Sequence, residues 1–211
     1  MNIKKTANLL LNFAIKRLAE IFGIIIFISG IALLIALITY SPEDPNFIFP
    51  DNTEIKNLLG FQGSYISDLF FQSVGLIAYL ISFTFIITGI NIFKIKEFFL
   101  IIENVFFATL YSVFGTLFLT YFYSKDFTLH VNGNGGFIGN YLNQTFFNSI
   151  IKFNEDVFYY ILISLIIILF FISINFNSKN FFLFIKKILN LFSKNNNNIY
   201  TDKSEIINEY I

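Results

Sequence analysis

IFGIIIFISGIALLIALITY, residues 21–40, is a run of twenty residues without one charged side chain. A helix needs about 20 mostly apolar residues to cross the hydrocarbon layer of a bilayer, which is about 30 Å thick. Lipid offers the backbone no hydrogen-bond partners, so a single spanning segment must bond its peptide groups internally, as a helix does. The stretch therefore predicts a membrane-spanning helix.

Three further stretches have the same character, at about residues 69–93, 98–123 and 157–176. Their apolar residues are continuous and lack the two-residue alternation of a membrane β-barrel strand. Charged residues make up 13% of the chain, whereas about 25% is usual for soluble domains. We therefore predict an all-α integral membrane four-helix bundle over residues 21–176.

Basic residues precede the first span, as they do in a secretory signal peptide. The span is longer than an ordinary signal core, however, and no small-x-small cleavage site follows it at residues 38–42. We therefore interpret it as a retained span, preceded by an N-terminal arm at residues 1–20.

The distribution of positive charge predicts the orientation. Eleven of the fourteen Lys and Arg residues lie in the N-terminal arm, in the hairpin at residues 94–97 and in the tail at residues 177–211. Loops rich in Lys and Arg stay on the cytoplasmic side. We therefore expect both termini in the cytoplasm, with the tail forming an amphipathic segment followed by a short polar linker.

The first outer loop carries turn and helix signals. Pro42 and Pro45 prevent the first helix from continuing and enforce a turn. Residues 51–54 resemble a capping box, which predicts a short helix ending at Gly60. A further helix is expected to begin at Gly63 and to run directly into the second span.

The second outer loop opens with a Gly- and Asn-rich turn at residues 131–136. Apolar residues then recur at near-helical spacing through residue 151, which predicts short periplasmic helices lying at the membrane interface. Packing of this stripe on the outer ends of the bundle is an alternative, and the two are not exclusive. The stripe comprises Phe137, Ile138, Tyr141, Leu142, Phe146, Ile150 and Ile151.

Motifs for catalysis and cofactor binding are missing from the sequence. It has no G-x-x-x-x-G-K-[ST], H-E-x-x-H, C-x-x-C or G-x-S-x-G pattern, no cysteine and one histidine, His130. Acidic and basic residues are equal at 14 each, which gives no basic excess for nucleic acid. We predict no enzyme activity, no catalytic residue, no cofactor and no metal site.

One acidic residue, Glu103, falls near the start of the third span. An acid within the membrane suggests a proton or ion relay, but a shift of the span by one turn would place Glu103 at the interface. Small residues four apart in the second and third spans suggest close helix packing. They are Ala78, Ser82, Ala108, Ser112 and Thr116.

A family resemblance rests on three stretches. Residues 40–46, Tyr-Ser-Pro-Glu-Asp-Pro-Asn, are similar to a Tyr-x-Pro-x-Asp-Pro-Ser turn, and residues 57–69 to an Asn-x-x-Gly-x-x-Gly-Ala-Tyr-x-Ala-Asp-Leu stretch. Residues 135–139 match a Gly-Gly-x-x-Gly segment. With these motifs, residues 15–176 resemble the N-terminal four-span membrane domain of the FtsK/SpoIIIE DNA translocases of bacteria. The departures, at Asn46, Ser64 and Ser67, are mild.

The resemblance implies a membrane anchor in the bacterial inner membrane at the division septum, serving cell division and chromosome partition. It implies divisome membrane proteins and the lipid bilayer as partners, a homo-oligomer, and no direct nucleic-acid contact. The large departure is the motor of the family, which is not found in these 211 residues. Any motor would therefore be on a separate chain, or this chain is a fragment or the product of a split gene. The expected structural or interaction residues are Pro42, Asp44, Pro45, Gly60, Gly63, Tyr65, Asp68, Gln72 and Gly75.

Two alternatives stay open at this stage. Each of these residues could maintain the fold without touching a partner. The whole chain could instead be a small four-span transporter or channel subunit, which needs polar groups facing inward in several spans. The spans offer Glu103, Gln72, Asn91 and hydroxyl groups for that purpose.

Overall fold

The computed structural model describes residues 3–45, 54–124, 129, 131–176 and 186. Within these residues the chain forms seven α-helices and no strand, which confirms the all-α prediction. His130 and three of the four residues of the predicted capping box, 51–53, lie outside the described residues. So does the tail at residues 177–211, apart from residue 186. The helices are α1 (Ile3–Ile38), α2 (Gly60–Val74), α3 (Ala78–Ile95), α4 (Leu100–Phe122), α5 (Gly136–Asn143), α6 (Phe146–Phe153) and α7 (Glu155–Ser173).

Four helical stretches are long and apolar enough to cross a membrane, and each includes most of one predicted span. They are Asn8–Ile38, Gly60–Ile95, Leu100–Phe122 and Glu155–Ser173. The second stretch is not one straight helix, because a 3₁₀ turn at Gly75–Ile77 separates α2 from α3. The chain is therefore a four-span membrane protein by length and composition.

Among the spans, α1 packs mainly on α3, α4 packs mainly on α7, and α3 contacts both α4 and α7. Ala108 and Tyr111 of α4 are buried in an apolar cluster with Leu162 and Ile166 of α7. A turn at residues 96–99 joins α3 to α4, and we call this end of the molecule the hairpin end.

Helices α1 and α3 approach each other closely along a seam of three glycines: Gly23, Gly30 and Gly89. A Cβ added at Gly89 would lie 2.5 Å from the backbone nitrogen of Phe27, and one at Gly23 would lie 2.7 Å from that of Phe93. The two backbones touch because these positions carry no side chain. None of the three glycines was among the small residues singled out from the sequence.

The small residues that the sequence singled out are all buried, but they do not form one contact between α3 and α4. Ala78 belongs to a cluster with Leu33 and Leu37 of α1 and Phe71 of α2. Ala108 belongs to the cluster between α4 and α7. The predicted face is therefore shared among different neighbours, and the seam provides the close approach instead.

Polar side chains between α3, α4 and α7 bond to one another. The Thr84 hydroxyl lies 2.9 Å from the Tyr111 hydroxyl and 3.3 Å from that of Ser173. Nearer the hairpin end, the Asn104 amide donates to the Thr88 hydroxyl at 2.8 Å. Such pairs remove the cost of burying polar groups in an apolar interior.

Charged side chains connect α1 to the hairpin end. Glu20 accepts hydrogen bonds from Arg17 at 2.6 Å and from Lys96 at 2.7 Å. Glu103 lies in the first turn of α4 with an exposed side chain. That position fits the interface interpretation of Glu103 and gives no support to a buried relay.

Candidate interaction site at the cap

The cap consists of residues 39–45 and 54–59, which join α1 to α2 at the end opposite the hairpin end. Asp44 is fully buried, and its two carboxylate oxygens accept hydrogen bonds from the backbone nitrogens of Lys56 and Asn57, both at 2.9 Å. Half-buried Pro42 and fully buried Pro45 flank it. One side chain thus fastens together the two halves of the loop.

Asn57 completes the end of α1. Its amide nitrogen donates to the carbonyls of Ala36 at 2.9 Å and Thr39 at 3.4 Å. The last carbonyls of a helix have no partner within it, so this contact satisfies groups that would otherwise lose a bond on burial. A Cβ at Gly63 would overlap the Asn57 side chain, which explains the glycine. Asn57 was quoted for the resemblance but was not selected as a site residue.

The prediction of a short helix ending at Gly60 is wrong for residues 54–59, which are the part of it that the structure describes. Residues 54–59 are not helical, and Gly60 is instead the first residue of α2, three positions before the predicted start. Its φ of +64° lies in the left-handed region, where glycine is favoured. The Asn57 side chain bonds to the backbone of Leu59 at 3.1 Å, and this local turn replaces the helix.

Asp68 and Tyr40 join α2 to the end of α1. Asp68 is 2% exposed, and it accepts hydrogen bonds from the Tyr40 hydroxyl at 3.1 Å and from the Gln72 amide at 3.4 Å. Burial, together with the charge of Asp68, raises the pKa of Tyr40. The tyrosine therefore stays protonated and remains a donor to the carboxylate.

The segment at residues 72–76 clasps the second loop, at residues 132–136. The Asn132 amide donates to the side-chain oxygen of Gln72 at 2.9 Å, and the Leu76 backbone nitrogen donates to the Asn134 carbonyl at 2.9 Å. Gly75 has a φ of +61°, and a Cβ there would overlap the Asn134 carbonyl. We call this contact the clasp; Gly75 breaks the helix so that the second loop can reach its backbone.

The clasp is continued by α5, which packs against α4. A Cβ at Gly135 or Gly139 would overlap the Thr120 hydroxyl, and at Gly139 it would also lie 2.5 Å from the Thr116 carbonyl. The glycines of the Gly-Gly-x-x-Gly segment therefore permit close contact between α5 and α4. The cap, the clasp and α5 form one continuous assembly at this end of the molecule.

Several apolar side chains of α2 and of the cap are exposed. Leu58, Phe61 and Leu69 are exposed, and half-buried Tyr65 stacks on Phe61 with ring centroids 5.8 Å apart. We call these four residues the α2 stripe: Phe61, Tyr65 and Leu69 are spaced four apart and lie on one face of α2, and Leu58 lies two residues before the helix. Of the predicted site residues, Tyr65 alone belongs to this stripe.

Two charged side chains on the cap surface pair with each other. Glu43 and Lys56 form an exposed ion pair that lowers the pKa of Glu43 and raises that of Lys56. Among the described residues no three His, Asp or Glu side chains come together as a metal site. The buried carboxylates of Asp44 and Asp68 accept hydrogen bonds from backbone nitrogens and a tyrosine hydroxyl, and so they hold the cap in one conformation.

The chain is similar in sequence to a known family of membrane regions. Residues 15–186 match the model of the 4TM region of DNA translocase FtsK/SpoIIIE. The DNA translocase FtsK of Rickettsia typhi is 35% identical over 72 residues, which are 34% of this chain and 10% of that protein. That of Azospirillum brasilense is 28% identical over 112 residues, 52% of this chain and 17% of the relative.

A third relative, the DNA translocase FtsK of Caulobacter vibrioides, is 36% identical over 73 residues, 35% of this chain and 9% of its own length. The matched region is thus a small part of each relative. No solved structure shows significant similarity. The match over residues 15–186 covers most of the chain and all four spanning helices, so the protein belongs to the family of FtsK/SpoIIIE 4TM membrane regions.

Proposed function

We propose that this chain is the membrane anchor of an FtsK-type DNA translocase, acting in cell division and chromosome segregation at the septum of the bacterial inner membrane. The family match over residues 15–186 carries the proposal. In this role the chain holds a motor at the membrane and performs no reaction itself. Both termini face the cytoplasm, and the cap faces the opposite side.

The cap gives the anchor a rigid surface for divisome membrane proteins. Asp44, Asn57 and Asp68 hold the loop by buried hydrogen bonds, so the α2 stripe is presented on a fixed frame. A preorganised surface loses less conformational entropy when a partner binds. An exposed apolar patch marks a protein or membrane contact, and aromatic residues are enriched at protein interfaces. We therefore assign partner contact to the stripe and frame maintenance to the buried residues.

A fluorescent fusion of the full chain in dividing bacteria tests the proposal. We expect fluorescence at mid-cell, and uniform membrane fluorescence would contradict septal anchoring. Leu58→Ser should reduce the mid-cell fraction, because Leu58 is 76% exposed in the stripe. Val131→Ser is the control, since Val131 is 67% exposed outside the stripe. Equal loss in both variants would remove the stripe from the account.

The transporter alternative gains little from the structure. The buried hydroxyl and amide groups of Thr84, Thr88 and Asn104 pair with neighbouring helices, and Glu103 is exposed. An anchor remains the function that the described residues support best. Homo-oligomerisation stays part of the proposal, and cross-linking of the purified full chain in membranes measures it.

A further inference from the structure

Helix α6 has three different sectors. One sector faces the bundle, with Ile151 only 2% exposed and Phe147 packed on the same cluster. A second sector, Phe146, Ile150 and Phe153, is exposed although fully apolar, and Phe153 reaches 91%. A third sector is polar and exposed, with Ser149 and Lys152. A helix wholly in water would not need the second sector, and one wholly in lipid would not carry the third.

Helix α5 extends the exposed apolar sector. Phe137 and Tyr141 lie one turn apart, both more than 60% exposed, with ring centroids 6.4 Å apart. Their neighbours Ile138 and Leu142 pack inward against the core clusters. The single stripe predicted from sequence is therefore divided between two faces. The exposed part is the aromatic ridge: Phe137, Tyr141, Phe146, Ile150 and Phe153.

The length of α7 sets the depth of the ridge. α7 has 19 residues, which extend about 28 Å, close to the hydrocarbon thickness of about 30 Å. Its first residue, Glu155, must therefore lie at the membrane boundary. α6 ends at Phe153, and Asn154 leaves the helical conformation and caps α7 through Val157 at 3.3 Å. The ridge is thus held at the level where hydrocarbon meets headgroups.

The apolar surface also continues from α6 onto the span. Val157, Tyr160 and Ile161, near the start of α7, are exposed, and on a spanning helix such side chains face lipid. Phe153 lies four residues before Val157, so the exposed ridge and the lipid-facing surface of α7 are neighbours along the chain. Tyrosine and tryptophan are enriched at this depth in membrane proteins, and Tyr141 and Tyr160 are exposed here.

From these observations we infer that the aromatic ridge inserts into the lipid leaflet on the cap side, while Ser149 and Lys152 face water. The helix pair α5 and α6 is then a second membrane contact, which lies in the plane of the leaflet and fixes the depth of α4 and α7. This inference rests on geometry and does not depend on the proposed role at the septum.

Tryptophan fluorescence gives a direct test, because the chain contains no tryptophan. Phe153→Trp and Lys152→Trp each introduce a single indole at an exposed position of α6, in the full chain reconstituted into phosphatidylcholine vesicles. Brominated lipids should quench Phe153→Trp several-fold more strongly than Lys152→Trp, with emission at shorter wavelength, since an interfacial helix buries its apolar face about 5–10 Å deep. Phe146→Trp should behave like Phe153→Trp and guards against one misfolded variant.

Equal quenching of Phe153→Trp and Lys152→Trp would overturn the inference. So would strong quenching of Phe153→Trp by aqueous iodide, since the ridge would then face water and be open to a soluble protein partner. Stronger iodide quenching of Lys152→Trp than of Phe153→Trp is the result that supports lipid insertion.

Discussion

The cap, which joins α1 to α2, and the seam, where α1 packs on α3, hold α1 in place by opposite means. At the cap the backbone leaves the helix, and Asp44 and Asn57 provide partners for peptide groups that no helix satisfies. In the seam the backbones are already hydrogen-bonded, and contact depends on the absence of side chains at Gly23 and Gly89. Membrane helices thus need polar side chains where they end and small residues where they meet.

The comparison predicts different penalties for substitution. Removing a cap side chain leaves a buried polar group without a partner, which neighbouring movement cannot repair. Adding a methyl group in the seam causes a steric clash, which a small separation of two helices can relieve in part. The clasp combines both demands at Gly75, so the largest effect is expected there.

Gly75→Ala should destabilise the protein by about 3 kcal/mol or more, since a left-handed alanine costs about 1–2 kcal/mol and overpacking adds about 1–3 kcal/mol. Thermal unfolding of the purified chain in detergent measures the change. Gly133→Ala is the matched control: Gly133 has a φ of +69° with nothing within 4 Å of an added Cβ. If both variants lose the same stability, the clasp contact contributes nothing.

Asp44→Asn should cost about 2 kcal/mol, because one of two buried backbone donors loses its acceptor. Glu43→Gln serves as the control, because the Glu43 carboxylate is exposed and forms an exposed ion pair with Lys56. This variant should show no measurable loss. Chemical denaturation in mixed micelles compares the two. A neutral Asp44→Asn would show that the carboxylate does not hold the cap.

Gly89→Ala should cost about 1 kcal/mol, since the steric cost of about 1–3 kcal/mol is partly offset by the better helix propensity of alanine, about 1 kcal/mol. Ser29→Ala, at an exposed position next to Gly30, should be near neutral. Disulfide trapping between cysteines placed in α1 and α3 reports the separation of the helices. An unchanged trapping rate in Gly89→Ala would argue against direct backbone contact.

The smallest effect concerns pH. The pKa of Tyr40 is raised in the folded state by burial and by Asp68, so its contribution to stability is present below about pH 10, the ordinary tyrosine pKa. Above that pH the unfolded state loses the proton first, and stability should fall. Tyr40→Phe should make the alkaline decline of the unfolding temperature shallower. If the variant and the unsubstituted protein have identical pH profiles, Tyr40 does not contribute to the alkaline loss of stability.

Sequence patterns predicted the cap far better than the seam. Proline, buried acid and glycine in residues 42–75 stand out from their apolar surroundings, and a turn or a helix end needs those residue types. Glycine in a span carries no such signal, because Gly23 and Gly89 come together only once α1 and α3 have packed. The bonds from Asn57 to α1 were likewise hidden, since they join residues 18 and 21 positions apart.

The structure departs from the sequence prediction at two places, before Gly60 and at Gly75. The short helix before Gly60 was predicted from local spacing, but bonds from residues 56 and 57 to Asp44 decide that backbone. The break at Gly75 was read as part of a continuous span, since only the arrival of Asn134 makes a helix interruption favourable. Contacts between residues far apart in the sequence determine both features, and a local sequence pattern does not predict such contacts.

The most direct measurement of the four-span account uses the absence of cysteine in the chain. Single cysteines at Leu58 in the cap, Glu97 in the hairpin and Lys152 in α6 are labelled in intact cells with a membrane-impermeant maleimide. The account predicts labelling at positions 58 and 152 from outside, and at position 97 only after the membrane is opened. Labelling of positions 58 and 97 from the same side would contradict it.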